Sequence, residues 1–199
     1  MIVTTGTPET RTEHRMPEAA MGLMASMGVP ALIAVIGIAV LGWGAIHWLG
    51  AIIWGLVATV AFTLFSLLGT AMGMTRMDLL DLLGSMMAAP HTSTARAIGA
   101  VVHHVNGALL AVAWAYGAAL VGAPANWASA LVWGFILWLL ALLMMTTIGA
   151  MHPAIRRGQQ DDPGPAATQF GRMTPVGSLL GHLVYGLVLG LTYHTWPLG

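Results

Sequence analysis

Cysteine and lysine are both absent from the 199-residue sequence, and charge of either sign is scarce, at 7% of residues. Without cysteine there can be no disulfides, iron–sulfur clusters, thiolate copper or zinc sites, or covalently attached c-type haem. Any cofactor must be held by His, Met, Asn, Tyr or Asp. Seven basic residues, all arginine, balance seven acidic ones. The net charge is zero, so neither nucleic-acid binding nor polybasic attachment to anionic lipid is expected. What remains is apolar, 57% by count, and charge-free runs cover Ala19–Thr75, Ala97–Ile155 and Met173–Gly199. Each run exceeds the roughly 20 residues that cross a hydrocarbon core as a helix. The class that follows is an all-α integral membrane protein.

The run from Gly28 to Met74 would be about 70 Å long as one helix, more than twice a bilayer core, so it must fold back once. Gly42, Gly44, His47 and Gly50 interrupt it near its middle. Five spans result, at about 28–46, 51–74, 97–120, 127–151 and 175–196. The arginines support that count, because cytoplasmic loops carry the positive excess. With five spans Arg11, Arg15, Arg76, Arg96, Arg156, Arg157 and Arg172 share one face; with four they split two against five. The N-terminus is therefore expected in the cytoplasm of a bacterial cell and the C-terminus outside its inner membrane. Trp43, Trp48, Trp54, Trp127, Trp133 and Trp196 fall near the outer ends, as an aromatic belt would.

The expected organisation is a cytoplasmic polar tail over residues 1–18, an extra first span and turn over 19–50, and a bundle over 51–199. Within the bundle a single offset of 79 positions superposes Ala51, Trp54 and Gly55 on Ala130, Trp133 and Gly134. The same offset carries His103, Val105, Gly107 and Leu110 onto His182, Val184, Gly186 and Leu189. Spans two and three thus repeat as four and five, in one orientation. They form a four-helix bundle about a pseudo-two-fold axis along the membrane normal. In the loops, Thr75-Arg-Met-Asp78 resembles a capping box before a short interfacial helix with Asp78, Asp81 and Ser85 as its polar stripe. The stretch from Arg156 to Arg172, with Gly158 to Pro165 inside it, has the composition of a mobile linker.

The polar residues inside the spans are the functional candidates. Gly99, His103 and Gly107 recur every four residues, as do Ser178, His182 and Gly186, which puts each histidine on a close-packing helix face. Asn106 and Tyr185 follow three residues after each, His104 adjoins the first, and His152 ends the fourth span at a similar level. One reading has the imidazoles bonding across the interface to each other or to Asn106 and Tyr185. The other has His103 and His182 as ligands of haem b or copper, with His104, His152 or nearby Met as further candidates. There is no HExxH, GxSxG or phosphate-binding loop, and the absence of intramembrane carboxylates speaks against a proton-coupled carrier or a di-iron oxygenase.

Gly181-His-Leu-Val-Tyr-Gly186 and Met74-Thr-Arg-Met-Asp78 resemble motifs of an uncharacterised family of small bacterial membrane proteins, over roughly residues 50–199. The resemblance implies a four-helix membrane bundle and no catalytic or binding residue. The expected role is a small non-enzymatic bundle in contact with lipid, acting as an accessory or interaction subunit with other membrane subunits or itself. The alternatives are a haem b or copper protein for redox or metal handling, and a small-solute pore or carrier.

Overall fold

The computed structural model describes the backbone of residues 18–198 and side chains from residue 27; the expected polar tail lies outside these but for Glu18. Among the described residues the chain is entirely helical, without strands. Helices α2 (Trp48–Ala71), α4 (Ser93–Leu120), α5 (Trp127–Met151) and α7 (Thr174–Thr195) are long and apolar enough to cross a membrane. Helix α1 spans Glu18–Leu41, and its described apolar part, Met27–Leu41, is shorter. Two short helices, α3 (Leu79–Gly84) and α6 (Pro153–Arg156), lie in the connections at one end.

Local chemistry sets the ends of these elements. Gly42, at φ 84°, terminates α1 in a conformation that disfavours a side chain, and the chain reverses before Trp48. Asn126 starts α5: its Oδ1 accepts from the Ala128 and Ser129 N–H groups while Ser129 Oγ accepts from the Asn126 N–H, a complete capping box. Pro153 lacks an N–H and ends α5, and the preceding His152 then caps α6. At the head of α3 the expected box is displaced. Thr75 Oγ1 accepts from Met77, and the cap is Asp78, which accepts from Asp81 at 3.0 Å.

In lipid there is no hydrophobic drive between helices, so close approach of backbones must supply the packing. Gly55 meets Gly107, Ala108 and Ala111 of α4, and Gly107 in turn meets Thr59. Gly134 meets the His182 carbonyl, and Gly186 meets the Ala130 carbonyl. Helices α2 and α4, α2 and α7, and α5 and α7 pack along their lengths, whereas α4 and α5 barely touch. The ring of four is open there, and α1 packs on α4 beside the opening, with Gly37 against Tyr116.

Both ends of the bundle are tied. At the tryptophan-rich end Gly50 donates to the Leu198 carbonyl, Trp54 Nε1 to the Trp196 carbonyl, and His47 to Tyr193 Oη. At the arginine-rich end Arg76 donates from its backbone to the Phe170 carbonyl and from its guanidinium to the Gln169 carbonyl. Two loop expectations need correction. Asp81 and Ser85 do not form an outward polar stripe: both are buried, Asp81 holding the His91 N–H at 2.7 Å and Ser85 bonding back to Leu82. The stretch after α6 is no free linker, since Ala167 and Phe170 are buried with Leu82 and Met145.

Candidate functional site

The opening between α4 and α5 leads into a cavity of about 360 Å³, at the lower end of the range for small-ligand sites. Thr59 and Phe62 of α2 form its back, His103, Asn106 and Gly107 of α4 one wall, Trp133 and Leu137 of α5 the other, and His182 and Tyr185 of α7 join them. Val29 and Leu143 both line the cavity and are exposed on the outer surface, at 54% and 63%. Thr147, one turn from Leu143 on α5, is likewise exposed and lines the cavity. Among the described residues no Asp, Glu or Arg lines it.

Several of its polar groups are already satisfied. Tyr185 Oη donates to the Gly107 carbonyl at 2.7 Å and thereby ties α7 to α4, and Thr59 Oγ1 donates to the Gly55 carbonyl at 2.7 Å. His182 Nδ1 lies 2.7 Å from the Ser178 carbonyl, which can only accept, so Nδ1 carries the proton and Nε2 keeps a lone pair in the neutral ring. Ser178 Oγ is 3.4 Å from the same Nδ1, but a protonated nitrogen is no base, so this pair is not an activated nucleophile. Other groups have no partner. His103 Nε2, Asn106 Oδ1 and Trp133 Nε1 are buried without a hydrogen bond, and all three residues line this cavity. A buried polar atom left unpaired costs about 1–3 kcal/mol, so each of the three is a local strain on the fold.

The structure brings together only part of the predicted constellation. His103, His182, Asn106 and Tyr185 share the cavity wall. Phe62 packs against both imidazoles, its ring centre 5.4 Å from His103 and 5.0 Å from His182. His104 bonds its own helix at the Ala100 carbonyl and touches His103 edge-on at 5.8 Å. His152 lies apart, with Nε2 on the Leu82 carbonyl at 2.9 Å. No group of three His, Asp or Glu side chains suited to a metal occurs among the described residues. Sequence reasoning passed over Trp133, Thr59 and Phe62. The spacing of Gly55, Thr59 and Phe62 marks one helix face, and Trp133 is the offset partner of Trp54.

Residues 45–197 match a family described as of unknown function, DUF6789. The chain belongs to that family. No curated protein and no solved structure matches it. The resemblance carried by the α7 motif and the Thr75–Asp78 turn is thereby borne out. The DUF6789 region contains the whole cavity wall except the α1 residues Val29 and Pro30.

Proposed function

We propose that this DUF6789 protein is a non-catalytic, five-span bundle of the bacterial inner membrane that binds a lipophilic small molecule taken sideways from the bilayer. The observation that carries this is a largely apolar cavity whose lining includes the exposed Val29 of α1 and Leu143 of α5 and a few polar side chains, His182 and Tyr185 among them. Apolar lining with a few fixed polar groups is the general character of small-molecule sites. The fifth span is α1, whose 24 residues suffice to cross a hydrocarbon core. The duplication is supported by two matching glycine crossings: Gly55 with Gly107, and Gly134 with Gly186, each pair 79 positions from its counterpart.

A second reading places a metal or haem on His103 and His182. The Ser178 carbonyl favours it, since a bond at Nδ1 is the usual way to orient Nε2 for ligation. One preparation tests both. Protein is purified from its native membrane in mild detergent, its lipophiles are extracted and identified by mass spectrometry, and its absorption spectrum and metal content are recorded. Ala141→Trp, which adds bulk at a residue lining the cavity from α5, is carried alongside. A stoichiometric lipophile lost in the variant is the expected result. Identical extracts from both proteins would sink the first reading, and a Soret band or stoichiometric copper would establish the second.

A further inference from the structure

We infer that the turn Pro165–Phe170 is a lid that opens the arginine-rich end of the cavity to water, and that it is held shut against backbone strain. The inference rests on the cavity being a ligand site and adds to it a second, gated entrance. Ala166 and Ala167 both line the cavity, as do Met145 and Thr147 of α5. Around them the same connection is polar and exposed, at Asp161, Asp162, Thr168, Gln169 and Arg172. The turn is therefore part of the wall between the cavity and the polar surface of that end.

Its backbone is under strain. Ala166 and Ala167 lie in the left-handed region, at φ 53° and 60°, where a Cβ crowds the following carbonyl oxygen and residues other than glycine are disfavoured. Two such residues in succession persist only where the surroundings hold them. Here Ala167 and Phe170 are buried with Leu82 and Met145, and Arg76 donates to the Phe170 and Gln169 carbonyls at 2.7 and 2.9 Å. The Ala166 N–H donates to Thr146 Oγ1 at 3.2 Å. On either side stands a glycine at positive φ, Gly164 at 65° and Gly171 at 142°, so both ends of the turn can pivot with no Cβ in the way. A strained segment between two pivots opens more readily than a relaxed one with the same bonds, because opening returns the strain.

The chain has no cysteine, so one introduced thiol reports without background. Met145→Cys places it at a residue that is 5% exposed, lines the cavity and packs in the cluster with Ala167 and Phe170. The protein in phosphatidylcholine nanodiscs is treated with a membrane-impermeant quaternary-ammonium methanethiosulfonate, and modification is followed by mass spectrometry. The thiol should react, and Ala166→Gly with Ala167→Gly should slow it about tenfold: glycine relieves the closed turn at both positions and gives part of that back to the freer open chain. Val112→Cys, buried in the core and not on the cavity wall, should react far more slowly and be indifferent to the glycines. Ala141→Cys, also on the wall, takes the place of Met145→Cys if that variant does not fold. Unreactive cavity thiols overturn the lid, as does a rate unchanged or raised by the two glycines, or an equal rate for Val112→Cys. A lipophile in the extract together with unreactive cavity thiols removes the lid alone. Reactive cavity thiols with identical extracts from the unaltered protein and Ala141→Trp keep the lid and remove the ligand.

Discussion

An unpartnered side chain leaves a signature in stability as well as in binding. Asn106 holds its carbonyl oxygen buried with nothing to accept from, beside Leu110 and Leu137 in a largely apolar wall. Replacing such a group by an apolar one of similar size removes the unmet desolvation cost. Asn106→Leu should therefore stabilise the ligand-free protein, by about 1 kcal/mol, while weakening whatever the cavity holds. Thermal unfolding in detergent, after exhaustive delipidation, measures the first effect. A drop in melting temperature would mean that Asn106 has a structural partner and is not waiting for a ligand. Tyr185 is the contrasting case: its hydroxyl ties α7 to the Gly107 carbonyl, so Tyr185→Phe removes a bond between helices and has no reason to stabilise.

Among the connecting elements, the α5–α6 junction depends on one imidazole. His152 donates from Nε2 to the Leu82 carbonyl and accepts at Nδ1 from the Ile155 N–H, the N-cap bond of α6. Burial pushes His152 below its ordinary value of 6.5, and the nearby Arg157 adds to this; the Leu82 carbonyl and Asp81 pull the other way without prevailing. The folded protein thus holds the ring neutral, whereas the unfolded chain protonates near pH 6.5. The stability due to the neutral ring is complete above pH 6.5. It falls as pH drops through the lowered folded value, by at most about 1.4 kcal/mol per pH unit. His152→Asn keeps an N-cap acceptor and removes the titration, so its melting temperature should change less than wild type between pH 7.5 and 5.5. Parallel pH curves for the two proteins would refute the assignment.

The long elements are legible in the sequence because hydrocarbon length is a coarse constraint. Freedom from charge predicts spans at 97–120 and 127–151, and the structure has Ser93–Leu120 and Trp127–Met151. The short ones are not. Thr75 and Asp78 are both competent caps, and which one serves depends on where Leu82 finds its pocket among Met145, Ala167 and Phe170. The site was half legible. Small-residue spacing puts His103 and His182 on candidate packing faces, but the contact of Phe62 with both rings and the bare Trp133 indole follow from how the helices meet in three dimensions. Trp54 and Trp133 hold equivalent positions in sequence, yet only Trp54 finds a carbonyl, at Trp196, because the chain ends beside α2 and not beside α5.

For the molecule as a whole, the number of crossings decides which compartment each end of the bundle faces. The connections holding Arg76, Arg156, Arg157 and Arg172 lie at one end, where Arg96 also begins α4, and the turns at Gly42–His47 and 121–126 lie at the other. Those latter turns carry no charge, and Trp43, Trp48, Trp127 and Trp196 gather near them. An excess of arginine is what the proposed cytoplasmic face would carry, whereas tryptophan marks a membrane interface on either side. The proposed crossing of α1 then brings the N-terminal tail to the arginine end as well, so that Arg11 and Arg15 add to the same bias. Fusions in a bacterial host test this. Green fluorescent protein at Gly199 should be dark and alkaline phosphatase there active, with the reverse for both reporters inserted between Gln160 and Asp161. A fluorescent C-terminal fusion would invert the molecule. The cavity residues nearer the arginine end, Ser178 and His182 among them, would then sit toward the outer leaflet, and the search for the ligand would have to begin there.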